Sequence, residues 1–158
     1  MLNRIRSLVL IEFSRFEGYF LCGKSEFVIE NGVLVKCRGG LLRNRSVELP
    51  IGITSIGDNV FQNFSGLSSI VIPERVTKIG KNAFTNCVGL ISVVLPSSIT
   101  SIGDNAFRNC VQLKNLTIPE NVTNIGAAAF WGCINLTIKI PVGVVSIGES
   151  AFVACKTI

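Results

Sequence analysis

The fold is decided by a stretch that recurs along the chain, and a clear copy of it is residues 67–90, LSSIVIPERVTKIGKNAFTNCVGL. Prolines mark the copies at intervals of 23, 23, 23 and 22 residues, and an Ile-Gly pair follows each proline in step. The shorter last interval reflects one residue missing between Leu136 and Pro141. Self-similarity at a fixed period of this length is the signature of a repeat architecture. The five prolines are Pro50, Pro73, Pro96, Pro119 and Pro141.

Within one unit, the apolar period changes from that of a strand to that of a helix. Residues 70–72 alternate as a strand does, and Pro73 ends the strand because it has no N–H to donate. Residues 76–79 are a second short extended piece, and Gly80 then permits a turn that a side chain would obstruct. The apolar residues within 83–90 are spaced by one, three and three, which predicts a one-turn helix in each unit.

A unit of about 23 residues cannot enclose a core by itself, but stacked copies bury a continuous one. The sequence therefore predicts a repeat solenoid of about five units over residues 46–158, with a parallel β-ladder of short strands. Phenylalanine forms one internal column, and a compact apolar group, mostly cysteine, forms another. The two columns are Phe61, Phe84, Phe107, Phe130 and Phe152, and Phe64, Cys87, Cys110, Cys133 and Cys155.

Residues 1–45 lack this period and are predicted to form an N-terminal cap. Asn31-Gly32 stands between two apolar runs within residues 27–36, which is a strong β-hairpin signal. Apolar residues at helical spacing predict an amphipathic helix over residues 4–16, although the Phe-rich stretch around Gly18 is equally compatible with a strand.

The unit closely resembles the BspA-type leucine-rich repeat of bacterial and protozoal surface proteins. The resemblance rests on the pattern Leu67-x-x-Ile70-x-Ile72-Pro73-x-x-Val76-Thr77-x-Ile79-Gly80-x-x-Ala83-Phe84-x-x-Cys87 and covers about residues 47–155. Residues 27–34 also resemble the lead-in that often precedes such repeats. The resemblance implies a leucine-rich-repeat fold, and adhesion or host-protein contact at a cell surface, although a fold alone does not determine a function.

The composition argues against an enzyme. The chain has no histidine, which is the commonest general base and zinc ligand, and only 10 acidic residues. Asp58 and Asp104 share one repeat position, where a carboxylate would cap the exposed N–H groups of the predicted helical turn. Lys81 and Ala127 replace them in sister units, which favours this structural role. We therefore expect no catalytic residues, no cofactor and no enzymatic activity.

Six cysteines raise the alternatives of a metal site or of disulfides. None forms a Cys-x-x-Cys motif, and the column positions favour burial as small apolar groups, so we expect no metal. Stacked neighbours would have nearly parallel side chains, which disfavours a bridge between them. Cys22 and Cys37 are the pair for which a disulfide stays open.

Charge and hydropathy narrow the range of partners. The net charge is +5, and residues 1–45 carry most of the excess, which we interpret as a solvated face. The nearly neutral repeats lack the basic stripe that nucleic acid requires. No apolar run reaches the ~18 residues of a membrane-spanning helix. Charges rather than a cleavage site follow the apolar residues 8–11, so we predict no secretory leader, and the localisation stays open.

The outward side chains of the first strand in each unit are the candidate binding surface. This surface is small, neutral and mildly apolar, and solenoids use such open sheet faces to bind a protein or a surface polymer. The alternative is that these residues are solvated β-formers. The candidates are Ser69, Val71, Ser92, Val94, Asn115, Thr117, Thr137 and Lys139.

The function expected is therefore a non-catalytic interaction module, with an intracellular scaffold as the alternative. Ice binding is a remote second alternative, although one threonine per unit is also a common strand residue. The last apolar layer lacks a polar closing unit before Ile158, which predicts that a second copy covers it or that the array continues. The threonine column that suggests ice binding is Thr54, Thr77, Thr100 and Thr123.

Overall fold

The computed structural model of the protein describes residues 18–22, 25–38 and 45–156, and the helix expected over residues 4–16 lies outside them. Eleven strands occur in this part of the chain, and most of the later ones are two or three residues long. They are β1 (Gly18–Cys22), β2 (Ser25–Glu30), β3 (Val33–Arg38), β4 (Arg45–Glu48), β5 (Ser55–Ile56), β6 (Leu67–Val71), β7 (Lys78–Ile79), β8 (Ser92–Val94), β9 (Ser101–Ile102), β10 (Asn124–Ile125) and β11 (Ser146–Ile147).

The strands form two sheets, which we name the long sheet and the short sheet. The long sheet has the order β1-β2-β3-β5-β7-β9-β10-β11, and the short sheet has the order β4-β6-β8. The repeat strands pair in parallel and join equivalent residues, as Ile79 does with Ile56 on one side and Ile102 on the other. Pairing between residues one repeat apart confirms the predicted parallel β-solenoid.

The apolar columns lie inside the solenoid, between the two sheets and the turns that connect them. Cys87, Cys110 and Cys133 are fully buried, as are four of the five column phenylalanines. Equivalent residues of successive repeats therefore stack at close to the spacing between neighbouring strands. Units that are each too small to enclose a hydrophobic core form a shared core in this way. The successive ring centroids of Phe61, Phe84, Phe107, Phe130 and Phe152 are 5.1, 5.1, 5.3 and 5.5 Å apart.

The predicted one-turn helix is wrong, because residues 81–86 form a succession of turns and the described residues contain no helix. The N–H groups of Asn82, Phe84 and Asn86 donate to carbonyl oxygens one repeat further along the chain, at 2.7 to 2.9 Å. An α-helix would direct them to carbonyls four residues earlier. Asn82 and Asn86 have φ angles of 54° and 60°, left-handed values that interrupt a right-handed helix. In the described part of the chain, nothing helical is present that could span a bilayer.

The glycine of each Ile-Gly pair is required by packing between repeats. A Cβ placed on Gly103 would lie 2.8 Å from the carbonyl carbon of Gly80 and 2.9 Å from the backbone nitrogen of Lys81. Because these are main-chain atoms of the preceding repeat, they cannot rotate aside as a side chain can. The sequence interpretation assigned this glycine to a turn. The structure shows instead that glycine is required because the backbones of two successive repeats approach closely there.

A hairpin adjoins the first repeat strand of the long sheet. β2 and β3 pair antiparallel around Asn31 and Gly32, which have φ angles of 49° and 78°, as a tight hairpin turn requires. β3 then pairs in parallel with β5, and Leu34 opposite Ile56 is buried. The division of the chain into a cap over residues 1–45 and repeats after it stays a prediction. The side chain of Cys22 lies outside the described part of the chain, so its bridge to Cys37 stays untested.

Candidate binding face

The short sheet and the segments that continue it hold their outward side chains in two columns, which together we name the candidate face. One column stands four residues before each proline, and the other stands two residues before it. Pairing of β6 with β8 sets Ser69 beside Ser92 and Val71 beside Val94. An isolated bridge then joins Ser92 to Asn115. Five of the eight predicted residues are thus joined by pairing across three successive repeats, and what they bind stays a prediction.

Alternation along each strand exposes the candidate residues and buries their neighbours. Val71 and Val94 are 50% and 53% exposed, whereas Ile70 and Val93 beside them are 1% and 3% exposed. This pattern follows from the period of two residues in a β-strand. Ser69 and Ser92 are half-buried, and the other exposed candidates are Asn115, Thr117, Thr137 and Lys139.

A shallow, open depression of about 430 Å³ lies in the C-terminal half of the candidate face. Residues 92–95, residues 114–117 and Thr137 line it, so five of the eight candidates contribute. Ser69, Val71 and Lys139 lie outside its lining. Small-molecule sites are usually enclosed and mostly apolar. An open surface of this kind is better suited to a polypeptide or a polymer.

Sequence reasoning missed two members of the candidate face. Ser46 and Glu48 in β4 pair with Ser69 and Val71 in β6, so they extend both columns by one strand. Both are exposed. They stand four and two residues before Pro50, and that spacing was the available signal. Glu48 places a carboxylate at the end of the face opposite Lys139.

The threonine column serves the backbone of the solenoid. The Thr77 hydroxyl donates to the carbonyl of Thr54 at 3.4 Å, and the Thr100 hydroxyl donates to the carbonyl of Thr77 at 3.1 Å. Thr123 repeats the contact with Thr100 at 3.3 Å. These hydrogen bonds between repeats account for the threonines without any role in ordering ice.

Asp58 and Asp104 accept hydrogen bonds from backbone N–H groups, as expected, but across repeats instead of within a helical turn. Asp58 Oδ1 accepts the N–H of Lys81 at 2.7 Å, and Asp104 Oδ1 accepts the N–H of Ala127 at 2.9 Å. Each carboxylate therefore links its own unit to the next one. This contact explains the aspartates structurally and leaves no reason to assign them to proton transfer.

Asparagine ladders are a second feature that sequence reasoning missed. The Asn86 side-chain amide donates to Asn63 Oδ1 at 2.9 Å, and the Asn109 amide donates to Asn86 Oδ1 at 3.0 Å. A neighbouring ladder joins Asn82 to Asn59 at 3.0 Å. The recurrence of asparagine at intervals of 23 residues was the signal. The ladders connect the turns of successive units and do not form a site.

The buried thiols of the cysteine column are protonated near neutral pH and are therefore unreactive. Burial raises the pKa of the Cys87 and Cys133 thiols to about 12 and also raises the pKa of Cys110, so these thiols stay protonated near neutral pH. Among the described residues there is no cluster of three or more side chains that could hold a metal ion. The Sγ–H groups of Cys87, Cys110 and Cys133 donate to the carbonyls of Phe61, Phe84 and Phe107 at 3.0, 3.2 and 3.1 Å.

The stacked short strands, the parallel ladder and the internal phenylalanine and cysteine columns define a leucine-rich-repeat solenoid. The sequence profile of the BspA type leucine-rich repeat region matches residues 41–158 in six copies. Because the match covers most of the chain, the chain belongs to the BspA-type leucine-rich repeat family. A comparison with curated proteins finds no significant match.

Solved structures of bacterial leucine-rich-repeat proteins resemble the chain. A leucine rich cell surface protein from Faecalibacterium prausnitzii is 31% identical, with a TM-score of 0.74 over 89% of this chain and 41% of that chain. The T. pallidum leucine-rich repeat protein is 26% identical, with a TM-score of 0.72 over 89% of this chain and 65% of that chain. A Bacteroides ovatus leucine-rich repeat protein is 30% identical, with a TM-score of 0.65 over 90% and 38% of the two chains. The chain thus spans at most 65% of the length of these relatives.

Proposed function

We propose that the chain is a non-catalytic interaction module that binds a partner protein through the candidate face. The observation that carries the proposal is the exposure of Val71 beside Val94 on paired strands. Removing adjacent aliphatic groups from water yields about 25 cal/mol per Å² of apolar surface. Parallel pairing of the strands holds the two side chains on a rigid platform, so little ordering is needed on binding. The family supports the proposal, since leucine-rich-repeat proteins generally serve as protein-interaction modules.

The binding is tested by replacing the two valines. In a pull-down from extracts of candidate partner cells, we expect Val71→Lys/Val94→Lys to lose capture by at least about tenfold, because charged groups would be desolvated at the contact. Val88→Lys/Ile134→Lys is the matched control, since those side chains are 41% and 55% exposed elsewhere on the surface. Circular dichroism verifies that both variants fold.

Two outcomes would contradict this assignment of the face. Capture that survives the Val71 and Val94 changes would show that the binding site lies elsewhere on the molecule. An equal loss of capture in the control variant would show that added charge alone, wherever it stands, abolishes binding. Only a loss confined to the first variant supports the proposal.

We also propose that binding takes place at a cell surface, in adhesion or in contact with a host protein. The F. prausnitzii relative, which is a cell surface protein, supports this location. Surface labelling of intact producing cells with an impermeant reagent tests it, and we expect labelling without lysis. Labelling that appears only after lysis would favour the intracellular scaffold.

We further propose that a second copy of the chain covers the last repeat, with a continuation of the array as the alternative. The last repeat strand leaves Ile147 48% exposed, whereas its equivalent Ile125 is 2% exposed. An apolar side chain that is buried in the preceding repeat is thus accessible in this one. The molecular mass measured by light scattering over a range of concentrations tests whether a second copy covers it.

A further inference from the structure

The column that stands two residues before each proline carries opposite charges at its two ends. Its members are Glu48, Val71, Val94, Thr117 and Lys139, and all five are exposed. The register of the short sheet sets the first three side by side. The column therefore runs across the strands from an acidic end, through an aliphatic middle, to a basic end.

We infer that the candidate face takes an extended peptide segment that crosses the strands with a basic side chain at Glu48 and an acidic side chain at Lys139. The inference rests on the proposed function and names the chemistry of the partner. The peptide carries separated opposite charges, because the two ends of the column differ in the sign of their charge. A partner carrying one sign of charge would meet a like charge at one end.

Strand spacing sets the length of this segment. Neighbouring strands lie about 4.8 Å apart, so four steps of one repeat each, from Glu48 to Lys139, span roughly 19 Å. An extended chain advances about 3.3 Å per residue, and alternate side chains point to the same side. Residues one and seven of a segment would therefore reach the two charged ends. Residue three, about 6.6 Å along the segment, would lie over the gap between the two valines, and residue five, about 13 Å along it, would lie over Thr117.

The basic end of the face is reinforced by a second lysine. Lys114 is exposed and lines the depression together with Asn115 and Thr117. An acidic side chain seated in the depression would thus meet Lys114, while Lys139 lies outside the lining and adds a second exposed positive charge at this end of the column. The hydroxyl and amide groups of the other column, at Ser92 and Asn115 among others, would lie alongside the peptide backbone and offer it hydrogen bonds.

The experiment uses three capped heptapeptides that differ only at their ends, RSVSVSE, ESVSVSE and RSVSVSR, each displayed in many copies on beads. We expect the protein to be retained at least threefold better on RSVSVSE than on either other peptide at low salt. The preference should shrink at high salt, because exposed charges are screened. Glu48→Lys should shift the preference to ESVSVSE, since both ends of the face are then basic. Lys114→Glu/Lys139→Glu should shift it to RSVSVSR.

Matched controls place the same charge changes outside the face. Glu149→Lys and Lys78→Glu/Lys81→Glu alter exposed residues outside the face and should leave the preference for RSVSVSE unchanged. Equal retention on all three peptides, no retention on any, or a ranking that ignores Glu48→Lys would overturn the inference. So would a wild-type preference for ESVSVSE, which points to a polyanion. The proposed function would survive each of these results if capture of a partner protein still depended on Val71 and Val94.

Discussion

At the scale of single residues, Arg75 holds a backbone conformation that side chains rarely adopt. Its φ is 100°, and the equivalent residue of the preceding repeat is Gly52, with a φ of 97°. We expect Arg75→Gly to raise the free energy of unfolding by about 1 kcal/mol, because relieved strain of 1–3 kcal/mol outweighs the greater freedom of glycine in the unfolded chain. Urea denaturation measures the change.

The neighbouring residue supplies the control for this substitution. Glu74 is exposed and does not have a left-handed φ. Glu74→Gly should therefore lower the free energy of unfolding by about 0.5–1 kcal/mol, since it adds only unfolded-state entropy. If Arg75→Gly lowered stability to the same extent, Arg75 would not be strained.

At the scale of elements, the sequence predicts the strands more reliably than the turns that connect them. Alternation in residues 70–72, with a proline next, specifies a strand that ends at a known point. The spacing of the apolar residues within 83–90 fits a helical turn. It fits equally well the observed succession of turns, which also directs one side of the segment inward. The recurrence of asparagine at these positions favours the turns, because asparagine tolerates positive φ.

The candidate face was predictable in outline for the same reason. Alternation shows which side chains point outward, and five of the eight predicted residues line one depression. Ser46 and Glu48 were missed because the first unit lacks the leading leucine that marks the others. The depression depends on how residues 92–95 lie against residues 114–117 of the next repeat. The sequence of a single unit does not specify how neighbouring units pair.

The asparagine ladder makes a testable contribution to the turns. Asn86 donates to Asn63, accepts from Asn109 and has a φ of 60°. We expect Asn86→Gly to lower the free energy of unfolding by about 1–2 kcal/mol, from two lost amide hydrogen bonds. Asn86→Ala should cost about 1 kcal/mol more, because a Cβ opposes the left-handed conformation. Denaturant titration of both variants separates the two contributions.

Each variant answers a different question about the ladder. Gly132 occupies the same repeat position with a φ of 76°, so glycine is compatible with the backbone there. Wild-type stability in Asn86→Gly would show that the side-chain ladder contributes nothing. Equal stability of the glycine and alanine variants would show that the left-handed conformation carries no cost.

At the scale of the whole molecule, stability comes from equivalent residues that bury one another across repeats. A phenylalanine in the column is covered by the rings before and after it, and each buried thiol donates to a carbonyl of the unit before. Such a molecule is held together by contacts between nearest neighbours along its axis. The chemistry of a residue type that forms a column therefore recurs from unit to unit and affects the stability of the whole solenoid.

The thiol column should make the stability of the solenoid fall at high pH. Burial raises the pKa of Cys87 from its ordinary value of 9.0 to about 12 in the folded protein. The contribution of the protonated thiol is therefore fully present below pH 9.0 and is lost as the pH rises toward 12. Within that window, each such thiol lowers the free energy of unfolding by about 1.4 kcal/mol per pH unit, because the unfolded chain releases the proton and the folded chain retains it.

Comparison with Cys87→Ala isolates this effect, because every other ionisable group is common to the two proteins. With reductant present, urea denaturation should show nearly parallel profiles at pH 8 and, between pH 9 and pH 11, a steeper loss in the wild type that approaches about 1.4 kcal/mol per pH unit for the one thiol removed. Alanine leaves a small cavity, but that cost is independent of pH and does not change the slope. Parallel pH profiles for the two proteins would mean that Cys87 ionises as easily in the folded solenoid as in the unfolded chain, which its complete burial does not allow.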